Sequence, residues 1–313
     1  MSCKIIIAKD HEGRRLDRTI RSIWPVLPLS AIMRALRKGE VRLDALRVHE
    51  AGARVRAGQE LYVPWEEPGA ETLDVSRRGA VPVLWRGENT LVLNKPAGLL
   101  VQPDVKGGDS VITRVWGIFG AGGQGFSPAA VHRLDRNTTG VLVVALSGEA
   151  LRGLERLFKE RRVVKRYLAV VVGTLPKKGV IDIPLLKDEL TNTVRAGTGK
   201  TARTHYTRLA GDGELSLASI ELLTGRTHQA RVHMAHIGCP ILGDGKYGDV
   251  KVNRRWRGKA KRPLLHAREL GFPHGLTGAL AELSGKIFRA DPPEDISKFF
   301  LEGRNPYTPP DIM

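Results

Sequence analysis

The chain has 313 residues, 42% of them hydrophobic and 27% charged, which is ordinary globular composition and long enough for a large domain with a smaller companion. Fifty Lys and Arg against 33 Asp and Glu leave a formal charge of +17 and point to a polyanionic partner, because neutralising phosphates releases condensed counterions. No run approaches the roughly 18 apolar residues of a spanning helix, no secretory signal follows Met1, and Cys3 and Cys239, without any C-x-x-C, argue against a disulfide framework or thiolate zinc site and for a reducing cytoplasm.

Residues 1–64 are expected to form a small α/β module. Ile5, Ile6 and Ile7 suggest a strand, 16–24 an amphipathic helix, and Ser30 a cap on a second helix over 31–38 that Gly39 ends in a left-handed conformation. Segments 41–43 and 59–63 alternate like half-buried strands. The module carries 13 Lys and Arg against 7 Asp and Glu, and Arg34, Arg37 and Lys38 fall together on its second helix. Residues 65–79, polar and without sustained period, are the expected linker.

The larger portion, 80–304, opens with strands at 81–85 and 91–94, and Lys95 follows in the turn N-K-P-A-G. A helix over 110–119 leads into a glycine cluster, 120–125, which lacks the G-K-[ST] ending of a phosphate loop and is expected to be a flexible connection. The next stretch organises the chain: His132-Arg133-Leu134-Asp135-Arg136 runs through Asn137, Thr138, Thr139 and Gly140 into six apolar residues, 141–146. That run is short and rich in β-branched residues, so it is a fully buried strand. Asp135 therefore sits on a loop held by the core, between two guanidiniums that keep it ionised and offer charge to an anionic substrate. Arg15-Leu16-Asp17-Arg18 repeats four of the letters, but helical spacing follows it, so the short string alone carries no chemistry.

Ser147 is expected to cap a helix reaching Arg161, and Lys159, Arg161, Arg162, Lys165 and Arg166 crowd its end and the start of a strand opened by Tyr167. Segments 201–208 and 215–223 pair across the turn 211–213. Thr227 is expected to cap a helix ending at Gly238, with His228, Arg231 and Ala235 along one face. The spacing of His228, His233 and His236 matches no common metal motif, so no metal is expected. Residues 251–262 hold seven basic residues and no acid and are expected to be a solvated charge run, in which Trp256 is a candidate to stack on an unpaired base. Residues 264–267 begin a closing strand, and the proline-rich tail, 305–313, is expected to be disordered.

Four of these strings together, H-R-L-D-x-x-T-x-G before an apolar strand, N-K-P-x-G, K-R-Y-L-A, and G-R-T-H-Q-x-R-x-H, resemble the RluA family of RNA pseudouridine synthases, closest to its large-subunit ribosomal RNA type. The string R-x-L-D, R-x-L-R-K-G-x-V-x-L, V-R-x-G-x-x-L at the front resembles the small RNA-binding module named after the fourth ribosomal small-subunit protein. The resemblance implies an α+β chain: the small module, then a catalytic domain built on a mixed, mainly antiparallel β-sheet flanked by helices. It makes Asp135 the catalytic carboxylate and Arg231 its partner. Tyr167 becomes the ring that stacks on the detached uracil and helps to take the final proton from carbon 5, and Arg133 the side chain that fills the gap left by an extruded nucleotide. Arg34, Arg37, Lys38, Lys95, Arg136, Lys165, Arg226 and His228 are the further expected RNA contacts. The carboxylate either attacks the anomeric carbon or removes a proton from its neighbour. No cofactor, metal or nucleotide is implied, and the expected partner is ribosomal RNA met by a cytoplasmic monomer away from any membrane. A transfer-RNA target, a non-catalytic ribosome-assembly protein, and an RNA nuclease or glycosidase are the alternatives. Thr139 stands where the family usually has serine, and Gln102 where it often has histidine.

Overall fold

The computed structural model describes residues 2–24, 27–66, 79–103, 108–120, 126–189 and 191–299. Most of the expected linker, the glycine cluster beyond Gly120 and the tail 305–313 lie outside the described residues.

Alternating apolar positions build the first sheet. Strands β1 (Cys3–Ile6), β2 (Arg42–Leu43), β3 (Leu46–Arg47) and β4 (Glu60–Val63) pair antiparallel in the order β1-β4-β2-β3. Helices α1 (Leu16–Ile23) and α2 (Leu29–Lys38) bury Leu16, Ile20, Ile23, Ile32 and Leu36 with Ile5, Leu61 and Val63 in one core. The repeated R-L-D-R string is the first turn of α1, with Arg15 paired to Asp17 at 2.9 Å. Ser30 is not the cap of α2. The helix starts two residues earlier than expected, at Leu29 after Pro28, whose carbonyl accepts the N–H groups of Ala31 and Ile32. It stops at Gly39, left-handed at φ 66°.

The second part begins with β5 (Val83–Arg86), β6 (Thr90–Lys95), α3 (Val111–Phe119), β7 (Ala129–Ala130), β8 (Thr139–Ala145) and α4 (Gly148–Lys159). Then come β9 (Val164–Val172), β10 (Lys178–Asp182), the hairpin β11 (Leu185–Asp188) with β12 (Thr193–Ala196), β13 (Arg203–Gly211) and β14 (Leu215–Leu222). The last elements are α5 (Gln229–His236), α6 (Val250–Arg255), β15 (Leu265–Gly271), β16 (Ile287–Arg289) and α7 (Glu294–Ser297). Among the described residues one large sheet runs β10-β13-β14-β9-β15-β8-β6-β5, with β16 on β15 and β7 on β8. Its pairs are antiparallel except β8 with β15, so the chain is α+β on a mixed, mainly antiparallel sheet.

Strand β8 shows why its sequence is apolar throughout. Val141 and Val143 pack under α4, against Ala150, Leu151, Leu154 and Leu157, while Leu142 and Val144 meet Leu91, Leu93, Val115 and Leu134 on the other face. Both faces are covered, so no polar position is tolerated. Gly140 is required where β8 meets β15: its φ is 112°, and a Cβ there would lie 2.1 Å from the carbonyl oxygen of Ala267. Ser147 caps α4 as expected, its Oγ accepting from Ala150 N–H at 3.2 Å.

The two parts are docked through side chain–backbone hydrogen bonds. Gly148 N–H donates to Asp10 Oδ1 at 3.2 Å, Arg152 donates to the Asp10 carbonyl at 3.2 Å, and Ser127 Oγ donates to the Ser22 carbonyl at 2.7 Å.

Candidate active site

The loop before β8 is fixed at both ends and in the middle. Val143 N–H donates to His132 Nε2 at 3.1 Å, and the His132 ring stacks on Phe158 at 4.7 Å. Burial drives that imidazole down to about 3, so it stays neutral and accepting. Leu134 is buried in the core beside Asp135. Two buried basic side chains hold the carbonyls beyond it. Lys95 Nζ donates to Arg136 O at 2.9 Å as well as to Pro96 O and Leu99 O at 2.8 and 2.7 Å. Arg262, clamped on Asp295 by two bonds of 2.7 Å, donates to Asn137 O at 2.9 Å. At the start of β8, Thr139 Oγ1 donates to His266 Nδ1 at 2.8 Å, because His266 Nε2 gives its own proton to the Ala290 carbonyl.

Two expectations are corrected here. Lys95 is not an RNA contact: it is fully buried, and its three donors are spent on carbonyls. Arg262 does not belong to a solvated basic run, for it is buried and staples the loop.

Asp135 receives Arg231 Nη1 on Oδ2 at 3.1 Å. Arg231 is itself gripped by Asp244, Nε to Oδ2 at 2.7 Å and Nη2 to Oδ1 at 2.8 Å, and its guanidinium lies over the Tyr247 ring at 5.0 Å. Burial opposes the charge on both partners, but their mutual attraction outweighs it: Arg231 is held up and Asp244 down, each ionised. Tyr247 Oη accepts from Val194 N–H at 3.0 Å and sends its own proton to His228 Nδ1 at 2.7 Å. The proton on His228 Nε2 then faces Asp135 Oδ1, 3.8 Å away. Burial keeps this imidazole below its ordinary value, against the pull of Asp135. Tyr167, on β9 opposite Ile220 and Ala267, completes the wall. Burial first, then the Asp135 charge, pushes its phenol up, so it is protonated at neutral pH.

Asp135, Tyr167 and Arg231 therefore share one cavity of about 60 Å³, with Arg133, Arg226, His228, Leu222 and Leu265 also lining it. The arrangement presents an ionised carboxylate and an aromatic ring to the same small space, with a fixed cation behind the carboxylate.

Thr227 does not cap α5. His228 occupies that position in a left-handed conformation, φ 53°, because Gln229 folds back: its Oε1 accepts Arg226 N–H at 3.0 Å and the Thr224 hydroxyl at 2.7 Å. His228 consequently lies before the helix rather than on its face. Of the other expected RNA contacts, Arg34, Arg37 and Lys38 are exposed on α2, Arg136 is exposed beside the loop, and Lys165 is half-buried on β9; none of the five lines the cavity. Trp256 is half-buried rather than free in a loop. Its ring packs on Phe299 at 5.5 Å and its N–H donates to Glu214 at 3.1 Å. Asp244, Tyr247 and Gln229 carry no role among the expectations above, although they hold Arg231, His228 and the turn before α5.

Residues 89–236 match the RNA pseudouridylate synthase family. The chain is 34% identical over 289 residues to the ribosomal large subunit pseudouridine synthase C of Vibrio cholerae, covering 86% of this chain and 88% of that protein. It is also 34% identical over 291 residues to an uncharacterised RNA pseudouridine synthase of Chloroflexus aurantiacus, covering 90% and 89%. Among solved structures, human RNA pseudouridylate synthase domain containing 4 superposes with a TM-score of 0.54 at 28% identity, covering 69% of this chain and 90% of the human one.

Proposed function

Since the chain belongs to the RNA pseudouridine synthases, we propose that it isomerises uridines of large-subunit ribosomal RNA, as a cytoplasmic monomer, with Asp135 as the catalytic carboxylate. The pairing of Asp135 with Arg231 in a cavity shared with Tyr167 carries the reading of the site. The printed name of the Vibrio cholerae relative supports the ribosomal target.

In this reaction the bond from the anomeric carbon to N1 breaks, the uracil turns, and a bond from the same carbon to C5 forms. The proton leaves C5 and N1 gains one, so atoms balance without any co-reactant. The target nucleotide must leave its stack to reach Asp135, and Arg133, exposed at the cavity's edge, fills its place. Arg231 keeps the carboxylate charged and oriented. Tyr167 stacks on the freed base, where its apolar neighbours Leu222 and Leu265 exclude water. The amino-terminal unit acts as an RNA-binding module of the ribosomal-protein type, and Arg34, Arg37 and Lys38, exposed at three-and-four spacing on α2, meet phosphates.

Carbodiimide mapping of pseudouridine across total RNA, from cells with the gene, without it, and with Asp135→Asn, tests this. Loss of the same large-subunit sites in the second and third strains is expected. Loss confined to transfer RNA would overturn the target, and sites retained with Asp135→Asn would overturn the assignment of Asp135.

A further inference from the structure

Between the amino-terminal unit and helix α4 lies a cleft of about 920 Å³, far larger than the cavity around Asp135. Its walls carry two basic stripes of identical period. Arg18 and Arg21 come from α1 and Arg14 from the turn just before it, and Arg152, Arg156 and Lys159 come from α4, each set spaced i, i+4, i+7 along the sequence. On α4 this is the face opposite the one that packs Leu151, Leu154 and Leu157 on the sheet.

The acids lining the cleft, Glu155 and Glu160, are already engaged, by Arg18 at 3.2 Å and Arg162 at 3.9 Å. Among the described residues Arg21, Arg156 and Lys159 are exposed and form no ion pair. Two like-charged stripes held face to face repel one another, and here the side chain–backbone hydrogen bonds of Asp10 with Gly148 and of Ser127 with Ser22 hold them there. Such an arrangement is relieved by a polyanion between the stripes. Half-buried Trp116 lies in the cleft wall with Ile112 and Pro103, so the cleft offers bases a surface as well as phosphates a charge. Arg133 lines both this cleft and the Asp135 cavity, so the two spaces adjoin.

We infer that this cleft is an RNA-phosphate site that holds the strand leading to the extruded uridine, a second surface distinct from the exposed stripe of α2. The inference rests on the synthase reading above and gives that reading a path for the substrate.

The test compares the full chain with a variant carrying Arg21→Gln, Arg156→Gln and Lys159→Gln, and with a control that removes equal charge at Lys177, Lys178 and Lys200, exposed far along the sheet. The probe is in vitro transcribed large-subunit ribosomal RNA, its binding titrated against potassium chloride and its conversion followed by carbodiimide mapping. Three lost phosphate contacts should lower the slope of log affinity against log salt by about 2 to 3, with KM raised at least about tenfold, while the control shifts neither. A single Lys159→Gln, lowering the slope by about 1, serves if the triple variant melts early by circular dichroism. Equal effects of the cleft and control variants, or an unchanged slope in an active cleft variant, would overturn the inference. If the unmodified chain neither binds nor converts this RNA, the reading of large-subunit ribosomal RNA as the target fails instead.

Discussion

Asp244, wholly buried, holds the guanidinium of Arg231 by two bonds of 2.7 and 2.8 Å and so aims its remaining nitrogen at Asp135, 3.1 Å away. The carboxylate that does chemistry in the proposed reaction is thus positioned at second hand. Asp244→Asn keeps the volume and removes the charge. Breaking one side of a buried pair costs about 3 kcal/mol, and a guanidinium displaced by an ångström lowers kcat by about 100-fold. Urea denaturation and single-turnover kinetics on folded protein check the two figures separately. A purely structural role would lower stability and leave turnover of the folded fraction intact.

Tyr167 presents a ring and a hydroxyl to the same cavity, and substitutions separate them. Among the described residues its hydroxyl makes no hydrogen bond to the protein, which leaves it for the substrate, whereas the ring is an apolar wall. Tyr167→Leu should lose the stack, worth about 1 to 3 kcal/mol, and weaken RNA binding accordingly. Tyr167→Phe should keep affinity within about twofold while turnover falls. Because the phenol is pushed up and stays protonated, the activity profile of the unmodified chain should show no rise near the ordinary phenol value that Tyr167→Phe abolishes. Filter binding and a pH series on both variants decide.

How far the sequence reached follows from where each group's partners lie. Strand β8 and its loop were legible because a short run with both faces covered is apolar at every position, and the loop's charged letters stand beside it. Asp135, Tyr167 and Arg231 were found through strings that resemble a family, and the fold brings them together. What escaped is the set of groups that act across the chain. Lys95 and Arg262 look like solvated charges in a turn and a basic run, and only the fold buries them against Arg136 O and Asn137 O. The cap of α5 was assigned to Thr227 by local pattern, but His228 takes that position without a side-chain cap, and the Gln229 carboxamide folds back onto the Arg226 N–H ahead of the helix. Helix α6 was missed inside a stretch dominated by charge, although Asp249 caps it through Val252 N–H at 2.9 Å.

Lys95 gives stability a pH dependence of defined sign. Burial, helped by Arg262 and opposed by Asp135, lowers it from 10.5 to about 7. Between these two values the unfolded chain binds a proton that the folded chain does not, so this residue makes the protein more stable as pH rises through that window, by at most about 1.4 kcal/mol per pH unit. Below about 7 both states are protonated and its contribution is flat. The stability of the unmodified chain minus that of Lys95→Met, measured by urea denaturation at several pH values, cancels the other groups and should rise from neutral to alkaline. A difference that stays level would mean that the three carbonyls keep the ammonium charged throughout.

Gly148 links the docking of the two parts to the cleft. It sits in the first turn of α4, where alanine would ordinarily stabilise a helix by roughly 0.5 to 1 kcal/mol. Here a Cβ would lie 2.0 Å from the carbonyl oxygen of Asp10, backbone against backbone, and neither side can yield by rotating a side chain. The clash outweighs the helix preference, so Gly148→Ala should push the amino-terminal unit off α4 and open the space between the two basic stripes. Asp135 and Arg231 lie in other elements, so turnover at saturating RNA should stay within about twofold. Small-angle scattering should show a larger radius of gyration, and the salt slope of binding should fall toward that of the triple cleft variant. A lowered slope without any expansion would locate the loss of charge contact elsewhere than in the cleft, and an expanded protein with an unchanged slope would show that the stripes act independently of their spacing.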